Sequence, residues 1–194
     1  MPSAASVTAG LLGISGCERA VIQVCFAVRS IEQSAAAWAS GAGAGPFFRV
    51  GDGPMELTAV RHRGAAAGWS HSTCLGQCGR VMIELIEQYS AWPDSLAEQM
   101  GVGTYGLHHL AWLVDDLDAE TARLEGMGMR QIMSATAGPQ EFRFHDAGDV
   151  LGSRIEVYLG EPPVPALFGA VARAARDWDG ENCLRSIEEL ALHE

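Results

Sequence analysis

Four polar residues stand where the surrounding pattern calls for apolar ones. Gln23, Glu84, His109 and Glu156 lie in the runs IQVCFAV, VMIELI, GLHHLAWLV and SRIEVYL. Each run has the β-branched and aliphatic composition of a strand. A buried carboxylate without a partner is costly, and two of them converging with an imidazole and an amide are stable together only around a cation. A divalent ion resolves the conflict. Glutamate oxygens, a glutamine carbonyl oxygen and a histidine nitrogen form a hard, oxygen-rich set. It suits Zn, Ni, Co, Mn or Fe(II) better than Cu(I). Taken singly, each residue has a plainer use. A strand glutamate commonly sits on an exposed face, and one histidine beside another, as in His108-His109, is commonly structural.

What sets the four apart is an internal repeat. Residues 23–38, QVCFAVRSIEQSAAAW, align with residues 109–124 at a constant offset of 86, so that Gln23 falls on His109 and Phe26 on Trp112. Both copies read as a strand followed by a capped helix. Ser30 and Gln33 have the spacing of a capping box, and Asp115-Asp116 is an acidic helix start. Repeats fix architecture, so two copies of one unit are expected. After the first helix come short strands at Phe47–Val50 and Met55–Arg63, then a hairpin from Ser70–Gln77 to Arg80–Gln88. In its second arm Val81, Ile83 and Leu85 face one way, and Met82, Glu84 and Ile86 the other. After the second helix come strands at Met129–Met133, Phe142–His145 and Arg154–Leu159. Each half is therefore read as β-α-β-β-β, the first with one short strand in addition. The chain divides into an arm over 1–20, a first module over 21–89, a linker over 90–103, a second module over 104–160 and a helical tail over 161–194. In that tail Ala166–Trp178 carries an apolar face that packs on the domain or on a second subunit.

Composition narrows the function. The chain has 194 residues and a formal net charge of -11, which argues against nucleic acid or an anionic membrane as partner. Its 13 basic residues are all arginine, so a lysine Schiff base is excluded. Cys17, Cys25, Cys74, Cys78 and Cys183 are odd in number and irregularly spaced, as in a reduced, cytoplasmic protein. The first sixteen residues lack a basic start and are too short and glycine-broken for an export signal or a membrane span.

The segments QVCFAVRSIEQSAAAW, GPFF, VMIELIEQ, GLHHLAWLVDDLD and SRIEVYLG resemble the vicinal oxygen chelate superfamily. This group contains glyoxalases, methylmalonyl-CoA epimerases and extradiol dioxygenases. The resemblance implies an α+β fold in which two paired βαβββ modules form a curved mixed sheet around a metal-binding cleft, with a C-terminal helix added. It also implies one metal ligand from the first and last strand of each module: Gln23 and Glu84, then His109 and Glu156. That set is similar to glyoxalase I. The epimerases have His in place of Gln23 and Gln in place of Glu84, although GLHHLAW and GPFF stand nearer their branch. A single His among the ligands counts against the O₂ chemistry of the dioxygenases. Glyoxalase I holds glutathione through two arginines and an asparagine at positions that are Ala27, Tyr105 and Gln88 here, which argues against that co-substrate. Coenzyme A stays open, although no basic cluster marks a site for its phosphates.

The resemblance implies a metal-dependent isomerase or epimerase that transfers a proton α to the carbonyl of a small, partly hydrophobic molecule. Glu156 is expected to be the base and Glu84 its partner or a second base. Phe47, Phe48, Trp69, Met82, Trp112 and Phe144 are expected to wall the cleft. His62, His71 and His145 are further candidates for acid–base work or substrate contact, and Cys74 for the cleft border. A lyase, a ring-cleaving dioxygenase or a drug-binding protein of the bleomycin-resistance type would share the fold; a metal-free binder has no need of Glu84 and Glu156. A homodimer is expected.

Overall fold

The computed structural model describes residues 3–12 and 19–193; Cys17 lies outside them. The first half comprises β1 (Gln23–Ala27), α2 (Ile31–Ala42), β2 (Phe47–Arg49), a short arm of β3 (Leu57–His62) and β4 (Ala65–Ala66), then β5 (Gly68–Cys78) and β6 (Val81–Trp92), all preceded by α1 (Ala4–Leu12). Helix α3 (Asp94–Met100) joins the halves. The second half runs β7 (Gly106–Val114), α4 (Leu117–Gly126), β8 (Gln131–Ala137), β9 (Gln140–Ala147), α5 (Gly148–Leu151) and β10 (Ser153–Leu159). Helix α6 (Val164–Arg176), strand β11 (Leu184–Ser186) and a 3-10 helix, Ile187–His193, complete the described chain. None of the described helices is long and apolar enough to cross a membrane.

The strands form one mixed sheet in the order β11-β2-β5-β6-β1-β7-β10-β9-β8-β3-β4. At its centre β1 and β7, the repeated strands, pair antiparallel. Each is flanked by the last strand of its own half in parallel, β6 on one side and β10 on the other. Helices α2 and α4 cover the outer face. Ser30 caps α2 by accepting the Gln33 N–H at 3.1 Å, and Asp116 caps α4 through the N–H groups of Asp118 and Ala119. Ile31 and Ala35 of α2 pack with Phe47, Ile83 and Leu85, while Leu117 and Leu124 of α4 pack with Trp112, Ile155 and Val157. Phe47 sits so close over β5 that a Cβ at Gly76 would fall 2.4 Å from its ring, so this position admits only glycine.

The inner face holds two apolar plugs. At one end Ile22, Phe48, Leu75, Met82 and Leu113 meet α1 and α6; at the other Trp69, Ile86, Phe142 and Phe144 meet Leu96 and Met100 of α3. The stretch expected as an arm is thus a packed helix, with Ala4, Thr8 and Leu12 buried. It lies so close to Gly160 that a Cβ there would be 2.7 Å from the Ala4 Cα. The stretch expected as a linker is β6 continuing to Trp92 and then α3, whose Leu96 and Met100 are fully buried. The apolar face of α6 packs on its own chain.

The arm β3–β4 belongs to the first half in sequence yet pairs with β8 of the second. Strand β5 has both edges taken, by β2 and β6, and the arm pairs instead with the free edge of β8. Met55 N–H also donates to the His71 carbonyl at 2.7 Å. The arm therefore bends the sheet into a cup.

On the outer face Glu120 is 3% exposed and accepts the Trp112 indole N–H at 3.0 Å, Arg123 at 2.7 and 2.9 Å, and Arg19 at 3.0 Å. Burial alone would raise its pKa, but the arginine and indole donors hold it below the usual carboxylate range. Glu120→Ala is expected to lower the unfolding free energy by about 2–4 kcal/mol in chemical denaturation, because it leaves these donors unanswered. The group's stabilising contribution is full above the unfolded carboxylate pKa and is lost as pH falls through the lower folded value. The gap between wild type and variant should therefore narrow in acid.

Candidate metal centre

The central four strands bring the four outliers together. In register, Glu84, Cys25 and His109 form one row across β6, β1 and β7, and Gln23, Ala111 and Glu156 form the next row across β1, β7 and β10. Cys25 and Ala111 are themselves equivalent in the repeat. Both are small, and they leave room over which the four longer side chains converge. A β-bulge helps. Between β1 and β7 the pairing passes from Cys25↔His109 to Phe26↔Leu107, so His108 is the extra residue of the ladder. Both imidazoles then lie on the inner side.

All four side chains are buried, with exposures of 1% for Gln23, 7% for Glu84, 1% for His109 and 4% for Glu156. His109 Nε2 lies 2.8 Å from Glu156 Oε2 and 3.2 Å from Glu84 Oε2. Neither contact has hydrogen-bond geometry. Gln23 Oε1, Glu84 Oε2, His109 Nε2 and Glu156 Oε2 are all buried atoms without a hydrogen-bond partner. Buried polar atoms are seldom left so, and these four are the ones a metal would use. The ligand atoms of Glu84, His109 and Glu156 fall within 4.8 Å of one another. The donor set, two carboxylates, one imidazole and one amide oxygen, fits a hard or borderline divalent ion.

The surroundings fix the ligands. His108 Nε2 contacts the Met100 carbonyl at 2.9 Å, and its Nδ1 contacts His109 Nδ1 at 2.8 Å. A carbonyl only accepts, so His108 donates from Nε2 and its Nδ1 accepts the His109 Nδ1–H. That leaves His109 Nε2 with a bare lone pair aimed at the carboxylates. Thr73 donates its hydroxyl to Glu84 Oε1. With protein groups alone, the cluster needs a proton as its cation. Burial alone would lower the His109 pKa, yet Glu156 and Glu84 raise it to about 9. Burial raises Glu156, and for Glu84 the His109 imidazole and the Thr73 hydroxyl outweigh burial and lower it. A metal ion would replace that proton.

The cluster forms the floor of a cavity of about 670 Å³. Of the six residues expected to wall it, Trp69 and Phe144 do so. Trp112 lies three residues from His109, an odd step along a strand, and so points outward to Glu120. Phe47 is on the outer face against α2; Phe48 and Met82 are on the inner face but inside the plug beneath α1 and α6. Of the three further histidines, only His71 lines the cavity, stacked on Trp69 with ring centroids 3.6 Å apart and its Nδ1 unpartnered. Burial lowers its pKa to about 4 and keeps it neutral. His62 is engaged by the Ile132 carbonyl and the Ser95 hydroxyl, and His145 is buried away from the cavity. Cys74 alternates to the outer face and packs among Phe47, Ile83 and Leu85. The sequence reading missed Tyr158 and Phe142, although Tyr158 lies two residues from Glu156 and must share its face, and missed the loop from Val50 to Leu57 at the cavity rim.

The family model for the glyoxalase/bleomycin resistance protein/dioxygenase superfamily matches residues 22–145. The chain belongs to this superfamily. Solved structures similar to it include a hypothetical protein from Bacillus halodurans C-125, at 17% identity over 73% of this chain and 94% of that one, with a TM-score of 0.48. Methylmalonyl-CoA epimerase from Mycobacterium tuberculosis is 20% identical over 75% of this chain and 91% of its own, with a TM-score of 0.45. A Streptomyces coelicolor methylmalonyl-CoA epimerase variant in complex with 2-nitronate-propionyl-CoA is 16% identical over 72% and 95%, with a TM-score of 0.44. No curated protein matches the chain.

His108→Phe keeps a ring against Trp69 and Phe144 but removes both nitrogens. Metal titration is expected to find divalent-ion affinity weakened about 10–100-fold. Unchanged affinity would show that His108 does not orient His109.

Proposed function

We propose that this chain is a metal-dependent enzyme of the isomerase or epimerase type, which moves a proton on the carbon next to a carbonyl. One observation carries the proposal: four buried ligating atoms without a hydrogen-bond partner line the floor of a largely apolar cavity, those of Glu84, His109 and Glu156 within 4.8 Å of one another. Gln23, Glu84, His109 and Glu156 would hold the ion. A divalent ion there would supply Lewis-acid polarisation of a carbonyl oxygen and offset the negative charge that develops on it.

The side chains divide the remaining work. The second oxygen of Glu84 is held by Thr73, so its role is to bind. Glu156 lines the cavity beside the Tyr158 hydroxyl and is the base that takes the α-proton. Tyr158, a cavity residue itself, is placed to relay a proton to or from Glu156. The neutral imidazole of His71, with one nitrogen unpartnered, offers the substrate a hydrogen bond.

Elemental analysis of the purified protein is expected to find about one divalent ion per chain, with less in Glu156→Gln. In D₂O the loaded protein should exchange the α-protons of 1-phenylpropane-1,2-dione, and Glu156→Gln should slow this about 10²–10⁴-fold. No uptake of Zn, Ni, Co, Mn or Fe(II) would contradict the proposal.

A further inference from the structure

We propose that the substrate of this site is an uncharged, largely apolar carbonyl compound, and that the cavity rejects molecules whose entering part carries a carboxylate or phosphate. The carbonyl element rests on the function proposed above; the charge preference rests on the cavity itself.

The titratable groups facing the cavity are acidic or neutral apart from His109, whose charge in the metal-free form is paired with Glu84 and Glu156. Glu84 and Glu156 stand at its floor, Asp52 and Glu56 in the exposed loop at its rim, and His71, His109 and Tyr158 between them. Among the described residues no arginine lines it. The residues outside the described ones include no basic side chain, and the chain has no lysine. A divalent ion at the floor would offset two of the four carboxylates, so even the loaded cavity gives an anion no net attraction.

Three arginines within two residues of cavity residues in sequence are committed elsewhere. Arg154 shares the face of β10 with Glu156, yet its guanidinium is taken by the carbonyls of Gln99 and His108. Arg49 pairs with Glu32, and Arg143 with Asp118 and Glu141. Between floor and rim the walls are apolar: Trp69, Leu75, Phe142 and Phe144 from the sheet, Leu167 and Phe168 from α6. An anionic group entering here exchanges water for hydrocarbon and carboxylates, and every cation at the floor is already paired with Glu84 and Glu156. A neutral aromatic or alicyclic body finds complementary walls, and about 670 Å³ is the size of a drug-like ligand's site.

The test uses a matched pair, a 1-arylpropane-1,2-dione with a para methyl ester and the same molecule with a free para carboxylate. Both carry the same chelating dicarbonyl, and the charge is remote from it. Calorimetric titration is run on zinc-loaded and on metal-free protein, with propionyl-CoA as a third probe. The ester is expected to bind at least about tenfold more tightly than the carboxylate and than propionyl-CoA in both forms. Leu167→Arg, which places a cation in the wall, should shrink that ratio by drawing in the carboxylate. Equal or tighter binding of either anionic probe, or no binding of the ester, overturns the inference. Zinc uptake by the same sample is scored separately. A preparation that takes up no zinc but still prefers the ester contradicts the metal centre and upholds the charge preference.

Discussion

An imidazole buried about 3 Å from each of two carboxylates cannot be stabilised by apolar packing. Their charges have to be balanced inside the cluster, and the protein has no arginine or lysine there to do it. Either His109 carries a proton, which its pKa of about 9 allows, or a metal ion takes its place. The second arrangement also satisfies Gln23 Oε1, which a protonated imidazole leaves unanswered. Much of the inner architecture can be understood as the support this cluster needs. His108 fixes the tautomer of His109, Thr73 fixes Glu84, and the plugs at either end keep bulk water from the sheet.

Duplication is the economical way to build such a site. Two copies of one strand–helix unit, set antiparallel through β1 and β7, put two polar side chains on one face at diagonal positions. The last strand of each copy then lies parallel beside its first and brings a glutamate to the same point. The small partners Cys25 and Ala111 fall at equivalent places for the same reason. The cup itself needs more than the repeat. It is completed by β3–β4, which crosses to the edge strand of the other half, and by α6 and α1, which have no counterpart in the repeat.

The balance of what could be read from sequence follows from range. Strand period and the offset of 86 are local or nearly local signals, and they placed Gln23, Glu84, His109 and Glu156 in apolar strands. Alternation also separated Met82 and Glu84 from Ile83 and Leu85. The cavity wall was less legible. Face alone does not say which inward residues are covered, so Phe48 and Met82 were lost to a plug made by helices distant in sequence. Trp112 could have been assigned outward by counting from His109; the bulge at His108 shows why such counting has its own traps. The crossing of β3 to β8, the helix Ala4–Leu12 and the pairing of Leu184–Ser186 with β2 depend on which edges other strands leave open, and no window of sequence holds that information.

The central claim is that four named atoms share one ion. The direct measurement is an anomalous-difference map from crystals grown with zinc and recorded on both sides of its absorption edge. One strong peak is predicted, about 2.0–2.3 Å from His109 Nε2, Glu84 Oε2, Glu156 Oε2 and Gln23 Oε1. A zinc peak elsewhere, with Glu84 and Glu156 hydrogen-bonded to a protonated His109, would contradict it.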